Sequence, residues 1–308
     1  MIQSVFRDEE QNFEWLDVTS PSAEDYQTLT EKYDLHPAAV KDCLSPNHLP
    51  KYERIGETAF LITRIYDENS QTEADTIQQL TNKVALFVSE EYLITIHRKK
   101  ESFIEKVKKK WQNPEKLDSE TPSYLLNQLL NKILHTYDGA MERAAEGLDT
   151  QETRIFNDTK NSSQLIREMY IVKRRASVFK RMIFLTKETM EKYARFSDVQ
   201  DPFTQDLLDT VESLHFVADE LHENVNNLLN LHISLTAHRT NEIMSLLTIF
   251  SIAFLVPTLI AGLYGMNFNN MPELQSSNGY FIALTSIIVM VLGSLIGLSI
   301  WFKRKGLL

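Results

Sequence analysis

The sequence predicts an α+β membrane protein: a small N-terminal α/β domain, a long helical stalk, and two C-terminal membrane helices into which the stalk continues. Three observations predict it. Strand-type and helix-type segments alternate over roughly the first 120 residues, no glycine or proline interrupts the chain from Phe203 to Val256, and charge stops abruptly near residue 243. The resulting divisions are 1–120 for the α/β domain, 121–242 for the stalk and 243–308 for the membrane domain.

Within the first division, apolar, β-branched and aromatic runs at Phe13 to Val18, Ala59 to Tyr66, Lys83 to Val88 and Tyr92 to His97 read as strands. The last two are joined by Ser89-Glu90-Glu91 as a hairpin would be. Ser22 to Tyr33 reads as a helix, because the Ser22 hydroxyl can satisfy unpaired N–H groups of the first turn while Glu24 and Asp25 suit its positive end.

The second division is helical. From Ser123 to Ser197 there is no proline and only Gly139 and Gly147, which suits two long antiparallel helices or one with a break. The uninterrupted stretch from Phe203 to Val256 could form one helix ~80 Å long at ~1.5 Å per residue. Inside it Leu207, Val211, Leu214, Ala218, Leu221, Val225, Leu228, His232 and Leu235 alternate spacings of four and three. That seam suits self-association around an axis, or packing inside the chain's own domain.

The third division holds two uncharged runs of 23 residues, Ile243 to Gly265 and Tyr280 to Phe302, each long enough to cross a hydrocarbon core of ~30 Å. The membrane segments are therefore about 243–265 and 280–302, with an outer loop at 266–279. Arg239 precedes the first span and Lys303-Arg304-Lys305 follows the second, while the connecting loop has no Lys or Arg and a single charge, Glu273. This asymmetry puts both termini in the cytoplasm. Continuing the heptad spacing into the first span with a shift of phase gives one face with Asn241, Met244, Thr248, Ser251, Leu255, Thr258 and Gly262. Polar groups facing lipid lack partners, so this face should meet other helices or water. Two spans cannot enclose a path alone; several copies could. The alternative is that each hydroxyl bonds back to its own helix.

Composition removes several classes. A net charge of −10 argues against a nucleic-acid partner. The single cysteine, Cys43, rules out an intrachain disulfide. The N-terminus lacks a secretory signal, so membrane entry is expected through the C-terminal helices. No Gly-x-x-x-x-Gly-Lys-Ser/Thr loop, no nucleophile–base constellation and no organic cofactor site stands out, so no enzyme activity is expected. Amide and hydroxyl oxygens without Cys or His after residue 239 suit hard cations such as Mg²⁺. His215, His222, His232 and His238 on the stalk form no i, i+4 metal pair.

Tyr264-Gly265-Met266-Asn267-Phe268 closes the first span, followed by Met271-Pro272-Glu273-Leu274. At this place and in this topology the Gly-Met-Asn triplet resembles the hallmark of the CorA family of magnesium transport proteins. Thr240-Asn241-Glu242-Ile243-Met244, Leu246-Leu247-Thr248, His36-Pro37, Asp42 and Pro50-Lys51-Tyr52-Glu53 extend the similarity along the chain. The resemblance implies a funnel-shaped homopentamer in the inner (plasma) membrane, carrying Mg²⁺, and also Co²⁺ or Ni²⁺, inward. By similarity Gly265, Met266 and Asn267 form a selectivity ring for a still-hydrated ion, and Asn241, Met244, Leu247, Thr248, Leu255 and Thr258 line the pore. Asp42, Asp206 and Asp209 are the implied Mg²⁺-sensing carboxylates between subunits, and Glu273 is the acid of the outer loop. Lys41 stands where an acid often serves a second ion site, so that site is not expected. A Zn²⁺ transporter of the same superfamily and a non-transporting membrane scaffold are the competing readings.

Overall fold

The computed structural model describes residues 1–10, 12–112, 121–157, 162–196, 202–266 and 276–304. The chain divides into two compact units, Met1–Leu229 and Asn230–Leu308.

The first unit is organised by one six-stranded sheet: β1 (Ile2–Asp8), β2 (Phe13–Thr19), β3 (Lys51–Ile55), β4 (Thr58–Tyr66), β5 (Thr81–Val88) and β6 (Tyr92–His97). Its order is β1-β2-β6-β5-β4-β3. Neighbours run antiparallel except β2 and β6, which pair in parallel from Glu14 opposite Tyr92 to Thr19 opposite His97. All six residues of β6 and Phe60 through Ile65 of β4 are buried, as central strands covered on both faces must be. The strands expected at Phe13, Ala59, Lys83 and Tyr92 are present, and β5–β6 is the expected hairpin. Two edge strands, β1 and β3, were not foreseen; Ile2–Asp8 and Lys51–Ile55 are mostly half-buried or exposed and rich in polar residues, and so lack an apolar alternation.

Helices α1 (Ala23–Tyr33) and α2 (Pro37–Leu44) help form one core with the sheet, where Tyr26, Leu29, Leu35, Ala39 and Cys43 meet Leu16, Val18, Phe60, Ile62, Phe87 and Ile94. Ser22 caps α1 as expected: its hydroxyl accepts from Asp25 N–H at 3.1 Å, and the Asp25 carboxylate accepts from Ser22 N–H at 2.9 Å. The short α3 (Ile77–Leu80) leads into β5. Helix α4 (Ser102–Trp111) buries Trp111 against Phe6 and Trp15, with ring centroids 5.0 and 6.4 Å away.

Beyond it come α5 (Pro122–Leu134), α6 (Asp138–Asn157) and α7 (Ser162–Phe196). Three helices thus stand where two, or one with a break, were expected, because Thr136 and Tyr137 turn the chain between α5 and α6 without needing Gly or Pro. Helix α8 runs from Pro202 to Tyr264 and α9 from Gly279 to Arg304.

Of the two partners open to the heptad seam, the structure supplies the one within the chain. Leu207, Val211, Leu214, Ala218, Leu221, Val225 and Leu228 are all buried inside a single chain, so from 207 to 228 the seam serves the first unit's own core. Side chains flanking it join α7, with Lys180 to Asp219 at 3.2 Å and Phe184 against His215 at 5.9 Å. Only His232 and Leu235, half-exposed beyond the end of that unit, escape this packing.

Candidate functional site

In the second unit, burial is confined to a narrow stripe on each helix. Ser245, Ile249, Ala253, Pro257 and Ile260 are the shielded positions on the apolar part of α8, at spacings of four and three; Ala283, Ile287, Val291, Ser294 and Leu295 are their counterparts on α9. Ala253 is 3% exposed, and its methyl permits close packing where a larger group would not.

The predicted pore face lies elsewhere on α8. Asn241, Met244, Leu247, Thr248, Leu255 and Thr258 are all exposed in the single chain. At about 100° per residue, most of them cluster roughly opposite the shielded stripe. Their hydroxyls are engaged as donors: Thr248 Oγ1 donates to Met244 O at 2.8 Å, Ser251 Oγ to Leu247 O at 2.8 Å and Thr258 Oγ1 to Phe254 O at 2.6 Å. This is the self-bonded arrangement weighed as the alternative to a pore. It does not make the oxygens inert. A hydroxyl whose proton is tied to the backbone presents only lone pairs outward, which is the polarity a cation or the hydrogens of its water shell require.

Near the far end of α8, Leu255, Thr258, Gly262 and Met266 share a concave surface of about 420 Å³ with Leu259 and Leu263. Gly265 closes the helix, donating its N–H to Ala261 O at 2.9 Å, and Met266 N–H follows to Leu263 O at 3.2 Å. A Cβ on Gly265 would come within 3.2 Å of Ala261 O, a contact tight enough to favour glycine at this step. Asn267 and Glu273 lie outside the described residues.

The predicted sensing carboxylates belong to the first unit. Asp206 and Asp209 project from α8 as exposed side chains with neutral partners: Asn131 Nδ2 reaches Asp206 Oδ2 at 3.4 Å, and Gln205 Nε2 donates to Asp209 Oδ1 at 2.9 Å. Asp209 also borders a groove of about 630 Å³ with His135, Asp138 and Glu142. Both are hard oxygen donors and fit a divalent cation.

Asp42, on α2, is differently placed. Its Oδ2 accepts a hydrogen bond from the Lys51 ammonium, and His48 Nε2 stands 3.1 Å from Oδ1. The Lys51 hydrogen bond holds the Asp42 carboxyl below the usual range; slight burial opposes this and the His48 charge adds to it. Lys51 also reaches Glu53 Oε1 at 2.8 Å and lies over the Phe60 ring at 5.2 Å. Among the described residues, no group of three or more His, Cys, Asp or Glu is placed to hold a metal ion within one chain. The roles of His48 and Lys51 were not read from the sequence, although Pro50-Lys51-Tyr52-Glu53 carried part of the resemblance.

A family model described as "CorA-like Mg2+ transporter protein" matches residues 10–304. The cobalt/magnesium transport protein CorA of Thermotoga maritima is 24% identical over 311 residues, covering 94% of this chain and 82% of its own. The magnesium transport protein CorA of Helicobacter pylori strain 26695 is 23% identical over 315 residues, covering 97% and 92%. The complete structure of the CorA magnesium transporter from Methanocaldococcus jannaschii superposes with a TM-score of 0.78 at 18% identity, over 97% of this chain and 92% of that one. That likeness covers the α/β domain, the long helix and both C-terminal apolar helices.

Proposed function

Since the chain belongs to the CorA-like Mg²⁺ transporter family and is a membrane protein with two C-terminal transmembrane helices, we propose that it is a Mg²⁺ influx channel. At the coarser level it is a divalent metal ion transporter and not an enzyme. Co²⁺ and Ni²⁺ are further candidate ions.

One observation carries the reading: within the apolar span of α8, Thr248, Ser251 and Thr258 form an exposed stripe roughly opposite the shielded one, with oxygens that can only accept. Such a face on a lone helix in lipid would be costly; repeated around an axis in a homopentamer it forms a narrow oxygen-lined path. In this reading residues 1–242 and the C-terminus are cytoplasmic, Met244 and Leu247 form a constriction, and Gly265, Met266 and Asn267 meet the hydrated ion at the outer mouth. Mg²⁺ loses water reluctantly, so neutral acceptors can select it through its shell. The membrane potential suffices as driving force, since a divalent ion gains ~4.6 kcal/mol across ~100 mV. Asp42 of one subunit, with Asp206 and Asp209 of a neighbour, would hold cytoplasmic Mg²⁺ and favour the closed state.

The test is ion influx into proteoliposomes under an inside-negative potential. Expected are Mg²⁺ uptake blocked by cobalt hexaammine, its loss in Asn267→Ala, and resistance to internal Mg²⁺ in Asp206→Ala. Uptake of Zn²⁺ alone, or uptake requiring a proton gradient, would reject the proposed ion or the passive mechanism.

A further inference from the structure

Asp42 already carries a cation. Its carboxylate is bound by the Lys51 ammonium from β3, with His48 on the other oxygen, and the pair is only partly open to water: the side chains are 20% exposed for Lys51 and 26% for Asp42. Lys51 is also held by a second acid, Glu53, two residues along the same strand at 2.8 Å, with the Phe60 ring beneath it. The ammonium therefore sits between two carboxylates of unequal accessibility, Glu53 being the more open at 45%. Releasing Asp42 does not strand the lysine, because Glu53 already accepts from it. Helix α2 is kept in place independently: Lys83, from β5, donates to the carbonyls of Asp42, Cys43 and Ser45 at 2.7, 2.6 and 2.5 Å, so the Asp42 backbone stays fixed whatever its side chain binds.

From this geometry we infer that Lys51 is a tethered cation that Mg²⁺ must displace from Asp42, with Glu53 as the position to which the ammonium withdraws. The inference rests on the reading of Asp42 as a sensing ligand. It changes the character of that sensor from addition to exchange. A bare carboxylate would gain the whole attraction of the incoming ion; one already neutralised gains only the difference between Mg²⁺ and the lysine it releases. The tether therefore sets the Mg²⁺ concentration at which the site fills above that of an open carboxylate. In the absence of Mg²⁺ it also limits repulsion among the acids gathered where subunits meet. The closeness of both acids to one ammonium makes the two substitutions on β3 act in opposite directions, which a purely structural salt bridge would not do.

The experiment measures Mg²⁺-dependent protection of the full-length protein from limited proteolysis in detergent, comparing wild type with Lys51→Met, Glu53→Gln and Asp42→Asn. Methionine keeps an unbranched apolar stem and removes the ammonium, and with it the cation–π contact with Phe60. Expected is a protection midpoint about tenfold lower in Lys51→Met, equivalent to ~1.4 kcal/mol, and a midpoint raised severalfold in Glu53→Gln. An unchanged or higher midpoint in Lys51→Met overturns the exchange mechanism. Should Lys51→Met fail to assemble, Glu53→Gln decides alone, an unchanged or lower midpoint there having the same meaning. Asp42→Asn separates the two levels of the argument: wild-type protection in that variant removes Asp42 from the sensor, whereas lost protection with no shift in the β3 variants removes only the role of Lys51.

Discussion

The two units of this chain solve opposite problems, and one helix, α8, takes part in both. In the first, a sheet covered by helices buries Trp15, Trp111, Phe60 and Tyr137 to 1% exposure or less, and even its charged groups find partners inside. In the second, Ala253 is the sole buried residue among those described, while Phe250, Phe254, Leu255, Leu259 and many others stand 50% exposed or more. A unit that leaves so much apolar surface uncovered depends on lipid for what the first unit obtains from its own sequence. Self-sufficiency and dependence meet inside α8: its heptad seam is filled from Leu207 to Leu228, and beyond that point the same helix has almost no interior.

The largest contrast should appear on deleting an aromatic from each unit. Trp111 touches Phe6, Trp15 and Tyr124 and donates its indole N–H to Gln128 Oε1 at 3.1 Å. Trp111→Ala should destabilise the first unit by about 3–5 kcal/mol, read from denaturant unfolding followed by circular dichroism. Phe254→Leu, at a position 64% exposed, should change the same curve by less than ~0.5 kcal/mol. Comparable losses in both would mean that the second unit also has a packed interior in the single chain.

A smaller effect separates the units by pH. Asp17, 1% exposed, accepts from Lys108 Nζ at 2.6 Å, from Thr95 Oγ1 at 2.6 Å and lies 2.9 Å from His97 Nε2. Burial pushes the Asp17 carboxyl up, but His97 first, then Lys108 and Thr95, bring it down to about 2. Burial likewise disfavours the His97 imidazolium, and Asp17 outweighs it, leaving the pKa raised. A depressed acid stabilises the fold above its unfolded pKa and loses that contribution as pH falls through its folded one. A raised histidine stabilises it below its unfolded pKa and loses that as pH rises through the folded value. The network is therefore strongest between about pH 4 and 6.5, and the Asp17 share, about 2 kcal/mol, should disappear between about pH 4 and pH 2. Unfolding of the wild type and Asp17→Asn across this range checks the sign; an equally pH-dependent Asp17→Asn would assign the effect to other acids.

In the second unit the position most like a core is Ala253. Ala253→Leu adds three carbons where the shielded stripe of α8 leaves no room, and should cost on the order of 1 kcal/mol, seen as a lower melting temperature in detergent. The same change at Ala261, which is exposed, should be neutral.

What could be read in the sequence follows the same division. The central strands, the Ser22 cap and the membrane spans announced themselves because each is a local pattern: a short apolar and β-branched run, a hydroxyl before two acids, a long uncharged run. The edge strands Ile2–Asp8 and Lys51–Ile55 did not, since pairing on one side and exposure on the other leave no hydrophobic signature. The heptad from Leu207 to Leu228 was legible as a buried seam, but its partner was not, because a 3.5-residue repeat looks the same whether the facing helix belongs to this chain or another. For the site, the family resemblance alone pointed to Asp42; that Lys51 and His48 already hold it depends on β3 lying beside the end of α2, a tertiary fact. The polar face of α8 was legible as a stripe, whereas the donation of each hydroxyl to its own backbone required coordinates.

The smallest expected effect on stability is also the sharpest test of what that stripe does. Thr248 and Thr285 are chemically alike: each is exposed and each donates to a carbonyl four residues earlier, Thr248 to Met244 O at 2.8 Å and Thr285 to Phe281 O at 2.6 Å. Thr→Val removes the same hydroxyl from both without changing shape, so the two variants should match wild type in stability to within ~0.6 kcal/mol. They differ in which helix carries them. Thr248 belongs to the α8 face proposed to line the ion path, so its loss removes an acceptor there from every subunit, and Mg²⁺ influx in proteoliposomes should fall severalfold. Thr285 lies on α9, outside the stripe, and its loss should leave influx unchanged. Equal influx in the two variants would mean that the Thr248 hydroxyl does no more than satisfy its own helix, and the stripe would lose its claim to be a path. A fall in Thr248→Val alone would show that two threonines with identical local bonds differ only because copies of this chain surround one of them with water and a cation.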